Sequence, residues 1–130
     1  MKNIKTLIII IALTSFTLTS CKKDKESPVI TITSPAAHAE FHEGDTIHVD
    51  GVFSDDMELA SYSVEVGDES GGHIHEFHHN DAGNITGKIQ EYHSMVTVPD
   101  SLSISMFYLH FSVSDAEGNT ATSKVMLHIH

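Results

Sequence analysis

Histidines are concentrated in one short stretch, GGHIHEFHHN, which spans residues 71–80 and contains His73, His75, His78 and His79. His73 and His75 are two residues apart, so an extended strand would point both side chains to the same face. Two imidazoles on one face are half of a four-coordinate site for zinc or copper(II). The stretch therefore predicts a transition-metal site with His73 and His75 at its centre.

Acidic residues are concentrated in two other segments, SDDMEL at 54–59 and SDAEGN at 114–119. Their carboxylate and amide oxygens are the hard ligands that calcium prefers. Neither segment has the Asp-x-Asp-x-Asp-Gly order of an EF-hand, and Asp and Asn also favour turns by bonding their own backbone. We therefore predict either a calcium site or simple turns, and the candidate ligands are Asp55, Asp56, Asp115 and Asn119.

Catalytic motifs are not found in the sequence. The segment His75-Glu76-Phe77-His78 is one residue shorter than the His-Glu-x-x-His motif, and the glycines before it disfavour the helix that this motif requires. The chain has no Gly-x-Ser-x-Gly elbow and no glycine loop for phosphate. We therefore expect a binding or structural protein and not an enzyme.

The charge of the chain is strongly negative from Pro28 onward. Two of the 18 Asp and Glu residues precede Pro28, which leaves 16, against the two cations Lys88 and Lys124. The formal charge of this part is therefore 2 − 16 = −14 with histidines neutral. Nucleic acids and anionic lipid head groups need a basic surface, so they are excluded as partners, and divalent cations are the natural counter-ions.

The N-terminal segment has the features of a secretion signal. Residues 1–20 combine Lys2 and Lys5 with an apolar run that is shorter than a membrane span. The tetrapeptide Leu18-Thr19-Ser20-Cys21 resembles a bacterial lipobox, which implies that Cys21, the only cysteine, is lipidated. We predict a signal peptide over 1–20, a lipidated cysteine with a charged tether over 21–28, and one domain over 29–130. This organisation predicts an outer-membrane lipoprotein of the cell envelope, on its periplasmic face or at the cell surface.

Alternation of apolar and polar residues dominates the domain and predicts β-strands. The predicted strands are 29–33, 46–53, 60–66, 85–98, 106–114 and 121–130, and the segment 80–84 has the composition of a turn. Short strands at about ten-residue spacing predict an all-β fold, an immunoglobulin-like β-sandwich of about seven antiparallel strands.

Two segments resemble bacterial Ig-like and cadherin-like modules: SDDMELASYSVEV at 54–66 and SVSDAEGNTATSKVMLHI at 112–129. Such modules have an acidic turn before the third strand and an Asp-x-x-Gly-Asn turn before the last. More closely, the mature chain resembles an uncharacterised family of His-rich, single-domain envelope lipoproteins of this class. The resemblance implies the fold and brings no established activity.

Residues 72–83 also resemble the copper-ligand strand of copper/zinc superoxide dismutases, which implies that His73 and His75 are copper ligands. The likeness ends there, because His78 replaces a glycine of that pattern and the chain has neither a cysteine pair nor an arginine. We therefore expect no dismutase activity. The local likeness supports copper or zinc capture.

Strand directions in such a sandwich sort the candidate ligands into two ends. The acidic turns share one end with the tether, and the loop after the first strand shares the other end with the C-terminus. His78 and His79 join the second end only if the segment before them is a loop. We name this second end the histidine pole, and its predicted members are His38, His42, His73, His75, His78, His79, His128 and His130.

Three functions remain open from the sequence, and the third is a pH switch that acts through the 11 histidines. The first is a lipid-anchored protein that binds zinc or copper at the histidine pole, for capture, buffering or hand-off. The second is a structural or adhesive module, accessory to an outer-membrane protein complex, with calcium or no metal.

Overall fold

Residues 23–130 are described by a computed structural model, and they form eight β-strands. No helix among these residues is long and apolar enough to span a membrane. The strands are β1 (Val29–Ser34), β2 (Glu40–Phe41), β3 (Thr46–Ser54), β4 (Leu59–Gly67), β5 (Asn80–Asn84), β6 (Ile89–Thr97), β7 (Met106–Asp115) and β8 (Thr120–Ile129).

Two sheets face each other and confirm the predicted β-sandwich. One has the order β1-β3-β6, and the other has the order β2-β8-β7-β4-β5. All pairs are antiparallel except β2 with β8, which is parallel. The alternating residues of β3, β6 and β7 fill the core as predicted, because one face of each strand is turned away from water. The largest fully buried side chains are Phe53, Phe77, Phe107, Phe111, Ile47, Leu59, Leu109 and Leu127.

Strand β5 corrects one expectation, because residues 80–84 were predicted as a turn and instead pair with β4. The carboxylate of Asp81 accepts hydrogen bonds from the Tyr62 hydroxyl at 3.1 Å and the Tyr92 hydroxyl at 2.7 Å. Tyr92 lies in the opposite sheet, so this polar group joins the two layers. These tertiary contacts outweigh the turn preference of Asp, Asn and Gly. As a consequence β6 begins only at Ile89, four residues later than predicted.

Candidate metal sites at the two ends of the sandwich

The loop before β2 brings His38 against β8. The backbone N–H of His38 donates to the carbonyl of Met126 at 2.8 Å, and the φ angle of His38 is 63°. Strand β2 then continues parallel to β8, with Glu40 opposite His128. The His38 and His128 rings stack with their centroids 5.4 Å apart, and Nδ1 of His38 lies 3.2 Å from Nε2 of His128. Two imidazole nitrogens therefore share one point on the surface.

Glu40 lies beside this pair. Its Oε1 is 2.9 Å from Nε2 of His130, and the His130 ring is 6.3 Å from that of His42. The hydrogen bond from His130 lowers the pKa of Glu40, and the charges of His130, His128 and His42 lower it further. We name His38, Glu40, His42, His128 and His130 the Glu40 cluster. It contains the four histidines that the sequence analysis placed at this end from the loop after β1 and from the C-terminus.

The histidine-rich stretch forms most of a loop over residues 68–79, which we name the histidine loop. Phe77 of this loop is 1% exposed, and its ring packs 4.9 Å from that of Phe107. The Phe77 N–H donates to the Ile74 carbonyl at 3.2 Å, which closes a turn at residues 75–76. The expectation that His73 and His75 lie on an extended strand is therefore wrong, because burial of Phe77 turns the chain between them and β5.

Within the histidine loop, both His73 and His75 approach His78, with ring centroids 4.1 and 6.2 Å apart respectively. His73, His78 and His79 line a cavity of about 170 Å³ together with Glu65. The Nε2 atom of His79 is buried without a hydrogen-bond partner. The segment before His78 and His79 is a loop, and β5 begins only after His79. This is the condition under which these two residues were expected at the histidine pole.

The histidine pole is divided into two groups and does not form one site around His73 and His75. In the described part of the chain, no ring pair joins the histidine loop to the Glu40 cluster. The segment 99–105 bonds to residues next to each group. The Leu102 N–H donates to Glu43, which follows His42, and Ser103 donates to Glu76 of the histidine loop. Within residues 23–130, neither group brings three histidine or carboxylate ligand atoms within 4.8 Å of one another. Each group therefore offers paired imidazoles, with further donors nearby.

Three carboxylates converge at the opposite end of the sandwich. Asp24, Asp55 and Asp115 each offer one oxygen, and these oxygens lie within 4.8 Å of one another. Their exposed fractions are 7%, 9% and 3%. We name them the acidic triad. The topology correctly placed Asp55 and Asp115 at one end, but Asp24 was assigned to the tether and no sequence pattern marks it.

The other two predicted calcium ligands have different positions. Asp56 is exposed and lies outside the acidic triad. The side-chain amide of Asn119 donates to Asp115 Oδ2 at 2.7 Å and to the backbone carbonyl of Asp24 at 3.1 Å, so Asn119 braces the triad. Burial raises the pKa of Asp115, but hydrogen bonds from Asn119 and Glu117 outweigh it and leave that pKa lowered.

The predicted lipidation site, Cys21, lies outside the described residues.

Solved structures share this fold at low sequence identity. Catalytically inactive OgpA from Akkermansia muciniphila, in complex with an O-glycopeptide, matches with a TM-score of 0.54 and 14% identity over 86% of this chain and 32% of that chain. Wild-type OgpA from the same organism matches with a TM-score of 0.57 and 15% identity over 81% of this chain and 30% of that chain. This chain thus spans about a third of those proteins, and the likeness shows the fold alone.

No curated protein matches the chain significantly. The model of the family DUF4625, described as a domain of unknown function, matches residues 18–130, and the chain belongs to that family.

Proposed function

We propose that this protein is an envelope lipoprotein whose Ig-like domain captures zinc or copper(II) at the Glu40 cluster. The lipobox-like segment ending at Cys21 supports the anchor. The acidic triad, which includes Asp24, lies at the anchor-proximal end, so the Glu40 cluster faces away from the membrane. The function is capture, buffering or hand-off of the metal, and the observation that carries it is the contact between His38 and His128.

The distance between the two nitrogens suits a shared metal ion. Tetrahedral zinc with nitrogen ligands at about 2.0–2.1 Å places two of those nitrogens about 3.3 Å apart. Nδ1 of His38 and Nε2 of His128 are 3.2 Å apart. An ion could therefore replace the hydrogen bond between the rings with little movement of either residue.

The backbone of His38 supports the same proposal. A φ angle of 63° lies in the left-handed region, which costs a residue other than glycine roughly 1–2 kcal/mol. Strain of this kind is concentrated at binding and catalytic sites. Here it is held by the hydrogen bond from His38 N–H to Met126, and its result is that the ring meets His128.

Glu40 and His130 supply the remaining donors. A carboxylate joined by two or three imidazoles is a ligand set that zinc sites use. Glu40 and His130 already contact each other at 2.9 Å, and Glu40 lies directly opposite His128 across the strand pair. Rotation of exposed side chains completes the set, and Glu40 offsets part of the charge of the ion.

Histidine loop residues form a second candidate site for the same function. The specific observation is the buried, unpartnered Nε2 of His79 in the cavity that His73 and His78 also line. A metal ion there would satisfy that nitrogen. The two candidate sites can be separated because they share no residue.

Zinc and copper(II) titrations of the full-length chain in detergent, against a competing chelator, test the proposal. We expect His38→Ala/His128→Ala to weaken binding by at least about tenfold, which is the loss of about 1.4 kcal/mol. The matched control is His48→Ala/His93→Ala, because these rings form a pair 6.3 Å apart on the outer face of the other sheet. His73→Ala/His78→Ala reports on the second site.

Equal weakening by all three double variants would mean diffuse capture by imidazole and would contradict the proposal. Loss confined to His73→Ala/His78→Ala would move the site to the histidine loop. Unchanged binding in every variant would contradict both candidate sites. Absent binding in the unaltered chain would leave the structural or adhesive module as the remaining function.

A further inference from the structure

Two carboxylate oxygens of the acidic triad lack a hydrogen-bond partner. Oδ2 of Asp24 and Oδ1 of Asp55 are buried, and neither has a hydrogen-bond partner. No lysine among residues 23–130 forms a salt bridge with these carboxylates. A buried carboxylate oxygen without a partner is unfavourable, and three adjacent carboxylates also repel one another. The arrangement calls for a proton or a cation.

The other oxygen of Asp24 and of Asp55 accepts hydrogen bonds from the backbone. Oδ2 of Asp55 accepts the N–H groups of Met57 and Glu58 at 3.0 and 2.8 Å. Oδ1 of Asp24 accepts the N–H of Glu26 at 2.9 Å. These bonds hold the two carboxylates in place while leaving one oxygen of each free within the described residues.

We propose that Asp24, Asp55 and Asp115 bind a calcium ion that fastens the anchor-proximal segment to the domain. All donors are oxygens, which suit calcium and not the softer zinc or copper. Calcium–oxygen distances of about 2.3–2.6 Å place ligand oxygens at most about 5 Å apart across the ion. The 4.8 Å limit on the triad is within this span. Water completes the coordination.

Calcium would relieve the repulsion among the three adjacent carboxylates, whose oxygens lie within 4.8 Å of one another. In the absence of calcium, this repulsion destabilises the folded chain. A divalent ion removes the repulsion and adds its own bonds.

The ion would join three segments that are far apart in sequence. Asp24 precedes β1, Asp55 lies between β3 and β4, and Asp115 ends β7. Asp24 is three residues after Cys21, so calcium would also shorten the free tether between the domain and a lipid anchor. This inference does not depend on the histidine clusters, and calcium does not compete for imidazole.

Calorimetric titration of the chelator-treated full-length chain in detergent with calcium, together with thermal unfolding with and without calcium, tests the inference. We expect one calcium per chain and a higher Tm with calcium, since a ligand that binds only the folded state stabilises it. Asp24→Asn should weaken calcium binding by at least about tenfold. It should also raise the Tm of the metal-free chain, because it removes a repelling charge while the Glu26 bond can remain.

Asp56→Asn is the matched control, because it removes an adjacent charge outside the triad. It should leave the affinity within about twofold, a change well below 1.4 kcal/mol. Equal weakening by Asp24→Asn and Asp56→Asn would overturn the inference and show diffuse attraction of cations. No calcium heat and no change in Tm in the unaltered chain would overturn it outright. Limited proteolysis after Lys23 or Lys25 should slow with calcium only while Asp24 is present.

Discussion

The ring of His38 lies against the ring of His128, with 3.2 Å between their facing nitrogens, although the two residues are 90 positions apart. The contact has two structural causes. Strand β2 runs parallel to β8 and places the preceding loop beside the end of β8, and the left-handed backbone of His38 turns its side chain toward that strand. Two distant parts of the chain thus supply adjacent imidazole nitrogens.

The backbone of His38 gives a prediction that separates stability from binding. Glycine tolerates a φ of 63° without steric cost, whereas alanine does not. We expect His38→Gly to be more stable than His38→Ala by about 1 kcal/mol in urea unfolding of the metal-free chain. Both variants should lose zinc affinity equally. Equal unfolding free energies would contradict the account of strain at this residue.

Phe77 should be the residue that holds the histidine loop in place. Phe77→Ala removes a ring that is 1% exposed and packs on Phe107, so we expect the free energy of unfolding to fall by about 3–5 kcal/mol. Phe77→Leu should cost less than Phe77→Ala, because it leaves a smaller cavity. As a control, Ile89→Ala alters a side chain that is 69% exposed and should change little. A loss below about 1 kcal/mol for Phe77→Ala would show that the loop is not anchored by its core contact.

Asp81 should be important for joining the sheets. Asp81→Asn leaves one acceptor oxygen for the two hydroxyls of Tyr62 and Tyr92, so we expect a loss of about 1–3 kcal/mol in urea unfolding. Burial raises the pKa of Tyr92, and the hydrogen bond to Asp81 raises it further, so Tyr92 remains a donor across the ordinary pH range. In a double-mutant cycle, Asp81→Asn should cost less in the background of Tyr92→Phe. Strict additivity would contradict the shared network.

Protonation of Glu40 should make the chain less stable in acid. Its pKa is lowered by the hydrogen bond from His130, so its contribution to stability is present above the ordinary pKa of glutamate and is lost as pH falls through the lowered value. Urea unfolding at stepped pH should therefore show a loss in that acid range. His130→Gln should reduce this loss, because it removes the positive partner. An identical pH profile for His130→Gln would show that the ion pair has no effect on folding.

Much of the fold could be predicted from the sequence because burial imposes a period of two. Ile47, Val49 and Phe53 alternate with polar residues, and each is at most 1% exposed. Strand order then sorted Asp55 and Asp115 to one end and His128 to the other. Both placements follow from chain direction and need no side-chain detail.

Other features depended on tertiary contacts that the sequence does not display. Strand β5 has the composition of a turn, and its pairing depends on Asp81 meeting tyrosines from two sheets. Asp24 belongs to a segment that reads as a charged tether, and its burial depends on Asn119, 95 residues away. The histidine loop is held by Phe77, which stands among imidazoles in the sequence, where nothing marks its contact with Phe107.

Elemental analysis of the tag-free, full-length chain is the most direct test of metal capture at the Glu40 cluster. After dialysis against a weak chelator, we expect about one zinc or copper per chain, with tight retention as in sites of three or four protein ligands. His38→Ala/His128→Ala should lose most of this metal, and His48→Ala/His93→Ala should retain it. A chain that holds no zinc or copper, or a His38→Ala/His128→Ala variant that holds as much as the unaltered protein, would contradict the account.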